Sequence, residues 1–279
     1  MRTPIKLNNS FWPVILTRYL PSSDDPSVLL DEDISGDDFS QAVSVFKFGT
    51  TFKTTKGNRF PRTVEALASL DWPSPPTILD VGASDGLASL HVAQNLVFKK
   101  YFITDLNTEV LLGTRDGRSC FYNSDRECIL IVTKMFVIYS DFEDAILPFN
   151  IFAKSVLSHS RDAPEQLKKI ELVNPEILKL KGDIEFTRYD IFERWPGEKV
   201  DLIIAANIIN RCYFPDSQIL RSVRNLASAL RIGGRLVVVD NREIEKATIF
   251  RFMDRKTVPE VDIHGGTEIR DLILNNPIA

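Results

Sequence analysis

Apolar and polar positions from Thr77 onward fall into a repeating order: short apolar runs of strand length alternate with stretches whose apolar residues recur at helical spacing. Thr77 to Val81 predicts a strand, a helix follows from about Gly86, and Tyr101 to Thr104 predicts the next strand. The alternation resumes later with Ile184 to Tyr189, Val200 to Ala206, a helix from about Asp216 to Leu230, and Arg235 to Asp240 behind the turn Gly233-Gly234. Strands alternating with helices argue a parallel sheet, here of five strands. Thr248 to Met253 and Val258 to His264 predict two more strands across the charged turn Asp254-Arg255-Lys256, and a short helix is expected around Glu268 to Leu274. The predicted fold class is therefore α/β, a doubly wound seven-stranded sheet with a terminal antiparallel hairpin.

The chain before Thr77 lacks this rhythm. Residues 1 to about 57 are mixed, with an acidic run at Asp31, Glu32, Asp33, Asp37 and Asp38, and read as an N-terminal extension of undefined fold. Pro61 opens a helix carrying Val64, Leu67, Ala68 and Leu70, which stops before the breakers Pro73, Pro75 and Pro76. The expected organisation is residues 1–76 as extension and packing helix, then a core over 77–279. Residues 112–183 interrupt that core between the second and third parallel strands, far beyond the usual length of such connections, so they need structure of their own. Cys128 to Tyr139 predicts β-structure able to pair with Ser119 to Tyr122, and Phe142 to Ser158 predicts an amphipathic helix. Insertions over the carboxyl ends of strands commonly serve as lids. Asp141, Glu143 and Asp144 at the start of this helix disfavour a membrane-surface role for it.

Composition narrows the function classes. The 279 residues are 44% hydrophobic and 26% charged, as in ordinary folded proteins. A net charge of −4 gives no global field drawing the chain to phosphate backbones, so nucleic acid is not an expected partner. Three cysteines are too few for a disulfide framework, which suits a cytoplasmic location. No apolar run reaches the length of a spanning helix, and the opening MRTPIKLNNS has no apolar signal region, so no integral membrane association is expected. Composition does not bear on oligomeric state.

The residues that carry chemistry begin at Asp80-Val81-Gly82-Ala83-Ser84-Asp85-Gly86, an apolar strand running into a small-residue turn that opens a helix. Glycines there permit close backbone approach, and a helix start presents unpaired N–H groups. Asp105 lies at the end of the second strand, where a carboxylate can accept from both ribose hydroxyls, and Asp190 closes the third strand in the same way. Together these residues resemble the class I S-adenosylmethionine-dependent methyltransferases, over roughly residues 77–264 without the insertion. The resemblance implies a Rossmann-like sheet, S-adenosylmethionine as cofactor, and a reversed terminal hairpin. It assigns cofactor contacts to Asp80, Gly82, Ser84, Asp85 and Gly86 in the turn, Asp105 and Leu106 at the ribose, and Asp190 and Ile191 at the adenine. Ser84 replaces the middle glycine of the family's Gly-x-Gly-x-Gly, which serine fits at negative φ. A nicotinamide fingerprint would need glycines at 84 and 87, where Ser84 and Leu87 stand.

The fourth strand runs into Asn207-Ile208-Ile209-Asn210-Arg211-Cys212-Tyr213-Phe214, the position from which the family reaches the transferable methyl. Thr104 to Leu111 and Asn207 to Phe214 are also locally similar to the catalytic domain of chemotaxis-receptor carboxyl methyltransferases. Asn-Pro-Pro-Tyr, the mark of exocyclic-amine methylation of bases, is absent. Methyl transfer from a sulfonium is an in-line displacement for which the protein supplies alignment and desolvation. The expected catalytic residues are Asn207 and Asn210, orienting donor and acceptor, and Tyr213 as wall or base; Asn207 also contacts the cofactor. Arg59 or Arg62 can pair the methionine carboxylate bidentately. Tyr139, Tyr189 and Tyr213 are candidate walls against the sulfonium. His91 and His264 read as structural, His159 as a remote candidate base, and the spacing of His and Cys predicts no metal site. The expected activity is methyl transfer to a small-molecule substrate. Two alternatives share the pocket: aminocarboxypropyl transfer or cyclisation releasing methylthioadenosine, and a non-catalytic cofactor-binding module.

Overall fold

A computed structural model of the chain describes residues 4–49, 51–54, 57–140, 163–254 and 256–276. The amino-terminal segment contributes β1 (Ile5–Asn8), α1 (Val14–Thr17), β2 (Ser22–Ser23), α2 (Gly36–Val43), β3 (Lys47–Phe48) and β4 (Thr51–Phe52). Helix α3 (Pro61–Ser69), β5 (Thr77–Val81), α4 (Leu87–Asn95) and β6 (Lys100–Asp105) come next. They are followed by β7 (Glu109–Arg115), β8 (Arg118–Tyr122), β9 (Cys128–Val132), β10 (Phe136–Tyr139) and β11 (Lys168–Glu171). The remainder holds α5 (Pro175–Leu178), β12 (Ile184–Arg188), β13 (Val200–Ala206), α6 (Asp216–Ala229), β14 (Leu230–Asn241), β15 (Glu245–Met253), β16 (Lys256–Ile263) and α7 (Arg270–Asn275).

Two compact units share this chain, residues 1–55 with 107–175 and residues 56–106 with 176–279. This grouping differs from the linear division into 1–76 and 77–279. In the first unit the amino-terminal segment and the insertion build one seven-stranded sheet, ordered β11-β7-β8-β9-β10-β1-β2. β8 pairs with β9 as the sequence pattern suggests, and β1 is paired antiparallel with β10 through Ile5 and Ile138. Apolar burial explains the association: Phe39, Val43 and Phe46 from the first segment share a core with Phe121, Leu130 and Val137 from the insertion. The segment from Phe142 to Ser158 and His159 lie outside the described residues.

The second unit is the doubly wound sheet, ordered β12-β6-β5-β13-β14-β15-β16. The first five strands are parallel, and β14, β15 and β16 run antiparallel to one another in sequence order. Every residue of β5 is buried, the signature of a central strand covered on both faces. Ile219, Val223 and Leu226 of α6 pack with Leu236 and Val238 of β14. Gly233-Gly234 does not precede the fifth strand but sits within it: Leu230 pairs with Val200 and Arg235 with Leu202, with Gly233 at φ +82° in the irregularity between. The packing helix α3 belongs to this unit.

Candidate functional site

Apart from Tyr139 and His159, the residues singled out for cofactor and chemistry fall in the second unit, most of them beyond the carboxyl ends of β5, β6, β12 and β13. This is the edge at which open α/β sheets bind ligands. The turn after β5 is tightly wound, with φ +66° at Gly82, +62° at Ser84 and +88° at Gly86. A Cβ on Gly82 would stand 2.3 Å from Cδ1 of Ile208, so that side chain would have to shift, and the positive φ favours glycine there whatever the space. Ser84 occupies the left-handed region rather than the negative φ expected of serine, at a cost of about 1–2 kcal/mol. What holds it there is Asp105, whose Oδ2 accepts the Ser84 N–H at 2.8 Å.

The helix start is not the open row of donors that its sequence suggests. Gly86 N–H donates to the Ala83 carbonyl at 3.0 Å, and Leu87 N–H donates to Oδ1 of Asp85 at 3.1 Å. Asp85 is fully buried, and its carboxylate folds back as an Asx turn on the first turn of α4. A phosphate group seated at this helix start would meet a carboxylate and two donors already engaged. A sulfonium or ammonium cation meets no such conflict.

The three acids separate by role. Asp80 is buried beneath the turn, where its Oδ2 accepts from Ser89 Oγ at 2.7 Å and Tyr101 OH at 3.0 Å. Burial pushes its pKa up from 3.8 to about 6, against the lowering effect of those two bonds. Asp80 therefore supports the turn from within rather than facing a ligand. Asp105 remains half-buried at the strand end with Leu106 exposed beside it. Asp190 follows β12 by two residues, and its Oδ1 accepts the Phe192 N–H at 2.8 Å, as a turn former does. Ile191 is buried in the apolar core with its carbonyl bonded by Asn225 Nδ2, so its side chain packs rather than lining the cofactor edge.

Beyond β13, Asn207 also has positive φ, +59°. Its N–H donates to the Val239 carbonyl at 2.8 Å and its Oδ1 accepts the Asn241 N–H at 2.7 Å, which fixes the orientation of the amide. Its Nδ2 is buried and has no hydrogen-bond partner among the described residues. Such a donor, held in place and unsatisfied, is what a ligand acceptor would complete. Asn210 behaves differently. Its Nδ2 reaches the Asn207 carbonyl at 3.3 Å, and its Oδ1 accepts from the Cys212 N–H and Arg242. It shapes the loop, with its amide spent on the loop itself, and does not present a free group to an acceptor.

Arg59 and Tyr213 do come together. Burial holds the Arg59 guanidinium below its ordinary pKa, and the Tyr213 phenol acts in the opposite sense. The Arg59 carbonyl accepts from Asn241 Nδ2, which ties the loop before α3 to the same Asn241 that orients Asn207. Tyr213 is half exposed and free to form a wall. Tyr189 is not: it is buried edge-on against Trp195 with its hydroxyl donated to the Glu193 carbonyl, and burial pushes its pKa up to about 12. Tyr139 lies in the first unit, its ring beneath Lys6. Arg62 turns to His264, 2.6 Å from Nε2, and leaves Arg59 as the arginine of this loop.

Glu245 is the residue that sequence reasoning passes over. From β15, its carboxylate accepts the Arg62 N–H at 3.1 Å, the Thr63 N–H at 2.7 Å and Thr63 Oγ1 at 2.6 Å. It caps α3 from 182 residues away in sequence. The available signal is negative: α3 begins Phe60-Pro61, and phenylalanine at the N-cap cannot satisfy the helix donors itself. Among the described residues no group of three His, Cys, Asp or Glu is placed to hold a metal ion, and no helix is long and apolar enough to cross a membrane.

No family model matches the chain, and no curated protein matches it. The solved structures that it resembles include an O-methyltransferase family protein from Burkholderia thailandensis, at 14% identity and a TM-score of 0.33, covering 64% of this chain and 37% of that one. Another is the N-methyltransferase NodS from Bradyrhizobium japonicum WM9 in complex with S-adenosyl-l-homocysteine, at 15% identity and a TM-score of 0.33, covering 67% of this chain and 65% of that one. The chain thus spans between about a third and two thirds of the length of these two. Likenesses of this size carry no weight for what the chain binds. The five parallel strands ordered β12-β6-β5-β13-β14, and the glycine turn after β5 closed by the acid at the end of β6, are those of a doubly wound, Rossmann-like fold.

Proposed function

We propose that the second unit binds S-adenosylmethionine at the carboxyl ends of β5, β6 and β13 and transfers its methyl group to a small-molecule acceptor. One observation carries the reading: the buried, unpartnered Nδ2 of Asn207 is held by Asn241 on the same sheet edge where Asp105 closes the Gly82–Gly86 turn. The helix start self-capped by Asp85 favours a cationic ligand over a pyrophosphate. Bound there, the cofactor supplies a methyl carbon already activated by a sulfonium.

The chain's own task is alignment. In this reading the Asp105 carboxylate at the end of β6 would accept from ribose hydroxyls, and Asn207 would donate through Nδ2. Arg59 pairs a carboxylate from the loop before α3, and Tyr213 forms the wall on the acceptor side. Asp190, turned on Phe192, borders the adenine edge.

Calorimetric titration with S-adenosylmethionine and S-adenosylhomocysteine tests the binding. Asp105→Asn keeps an acceptor for the Ser84 N–H while removing the charge, and should weaken affinity by roughly tenfold or more, as expected for a lost charged hydrogen bond. Unchanged affinity in the folded variant refutes the assignment of Asp105. Chromatography of the products separates the chemistries: S-adenosylhomocysteine follows methyl transfer, and methylthioadenosine without it overturns the methyl-transfer reading.

A further inference from the structure

The first unit carries a surface that the proposed chemistry does not use. Within ten consecutive positions between β1 and β2, six large apolar side chains stand in solvent: Phe11 is 41% exposed, Val14 81%, Ile15 70%, Leu16 39%, Tyr19 77% and Leu20 50%. Concentrated exposure of this kind marks an interaction site, whereas single exposed apolar residues are ordinary. The loop that presents them has a fixed shape. Phe11 and Trp12 N–H groups both donate to the Asn8 carbonyl, and Trp12 Nε1 donates to the Met135 carbonyl at 2.8 Å, which clamps the loop on the β9–β10 turn. Pro13 opens the single helical turn α1, and the Leu16 N–H closes it on the Pro13 carbonyl at 2.9 Å.

The loop's own charges are positive, and the nearest acids sit at its base. No acidic residue occurs between Asn8 and Ser23, while Arg18 lies within the loop and Lys134 holds its ammonium 5.3 Å from the Phe11 ring. Asp24 and Asp25, which follow, are engaged by Asn9 and Gln41 and by Asn8 and the Ser27 N–H. Apolar tips flanked by Trp12, Tyr19 and two cations match the layers of a bilayer surface, with hydrocarbon at the tips, amphipathic rings at the headgroups and positive charge against anionic lipid.

We propose that residues 11–20, together with Lys134 and Met135, dock the protein on anionic membrane surfaces by shallow insertion of Val14, Ile15 and Tyr19. Val14, Ile15 and Tyr19, each exposed over most of its area, line no groove for a partner's side chain, whereas a fluid acyl boundary accommodates them. The docking is peripheral and independent of the cofactor reading.

Sedimentation of the full chain with vesicles tests it, using phosphatidylcholine with and without phosphatidylserine. Wild type should partition onto the phosphatidylserine vesicles and fall off as salt rises. Val14→Ser with Ile15→Ser should lower the partition constant by roughly a hundredfold, about tenfold for each buried side chain lost. Arg18→Glu with Lys134→Glu should remove the preference for phosphatidylserine. Both pairs change exposed side chains, so an unchanged urea midpoint checks that the fold is intact. Failure of wild type to sediment, or equal sedimentation of the Val14/Ile15 variant, overturns the proposal. So does concentration-dependent dimerisation of wild type that the same variant abolishes, which would assign the surface to a second copy of the chain.

Discussion

Asp80→Asn isolates one buried ionisation beneath the candidate site. The Asp80 carboxyl is buried under the turn, accepting from Ser89 and Tyr101, and burial raises its pKa from 3.8 to about 6. A group whose folded pKa lies above its unfolded value contributes stability that is fully present below the unfolded pKa and is lost as pH rises through the folded one. The window is therefore about pH 4 to 6, and at 1.36 kcal/mol per pH unit the loss is about 3 kcal/mol. Asparagine keeps an oxygen for both donors and cannot ionise. Any cost of burying its NH₂ is independent of pH and drops out of the comparison. Urea unfolding of wild type and Asp80→Asn from pH 4 to 7.5 measures the difference. In a Trp12→Phe background the remaining tryptophans, Trp72 and Trp195, both lie in the second unit and report on it alone. The stability of Asp80→Asn relative to wild type should rise by about 3 kcal/mol across the window and level off above it. Parallel pH profiles would mean that the carboxyl does not titrate there, and the account of its burial would fail.

Ser84→Gly should relieve the left-handed strain of about 1–2 kcal/mol and return about 0.4–1 kcal/mol in unfolded-chain entropy, a small net stabilisation readable as a higher urea midpoint; Ser84→Ala, which keeps the strain, should show none. Glu245→Ala should destabilise the second unit by about 2 kcal/mol, because three donors at the start of α3 lose a charged acceptor. Glu245→Gln should recover most of that loss, and a cofactor affinity that falls with Glu245→Ala while the core stays folded would show that the cap also positions Arg59.

The strands of the second unit were legible because each is a local object. The apolar run of β5, the glycines behind it and the acid at the end of β6 lie within thirty residues, and parallel strands need helices between them. In the first unit only the local pairing of β8 with β9 was legible; the contribution of the amino-terminal segment was not, since β2 is two residues long and β1 finds its partner across 133 positions, from Ile5 to Ile138. Pairing at that range leaves no period in the sequence. The same limit hid Glu245, whose partners are the donors of a distant helix. Ser84, Asp190 and Asn210 show another limit: the sequence places them close behind the strands, but the direction of each side chain depends on φ and on which neighbour bonds it first.

The interleaving of the two units imposes an order on synthesis. The chain enters the first unit, leaves it at residue 56, returns at 107 and leaves again after 175. A ribosome therefore delivers β1 long before β10, a delay on the order of 10 s at ordinary elongation rates. Meanwhile β5 and β6 emerge as a parallel pair whose flanking strands, β12 and β13, are not yet made. The amino-terminal unit can close as soon as residue 175 has emerged, while the second unit waits for the last third of the message. Premature termination near residue 180 would thus leave a finished first unit attached to an unfinished, aggregation-prone sheet.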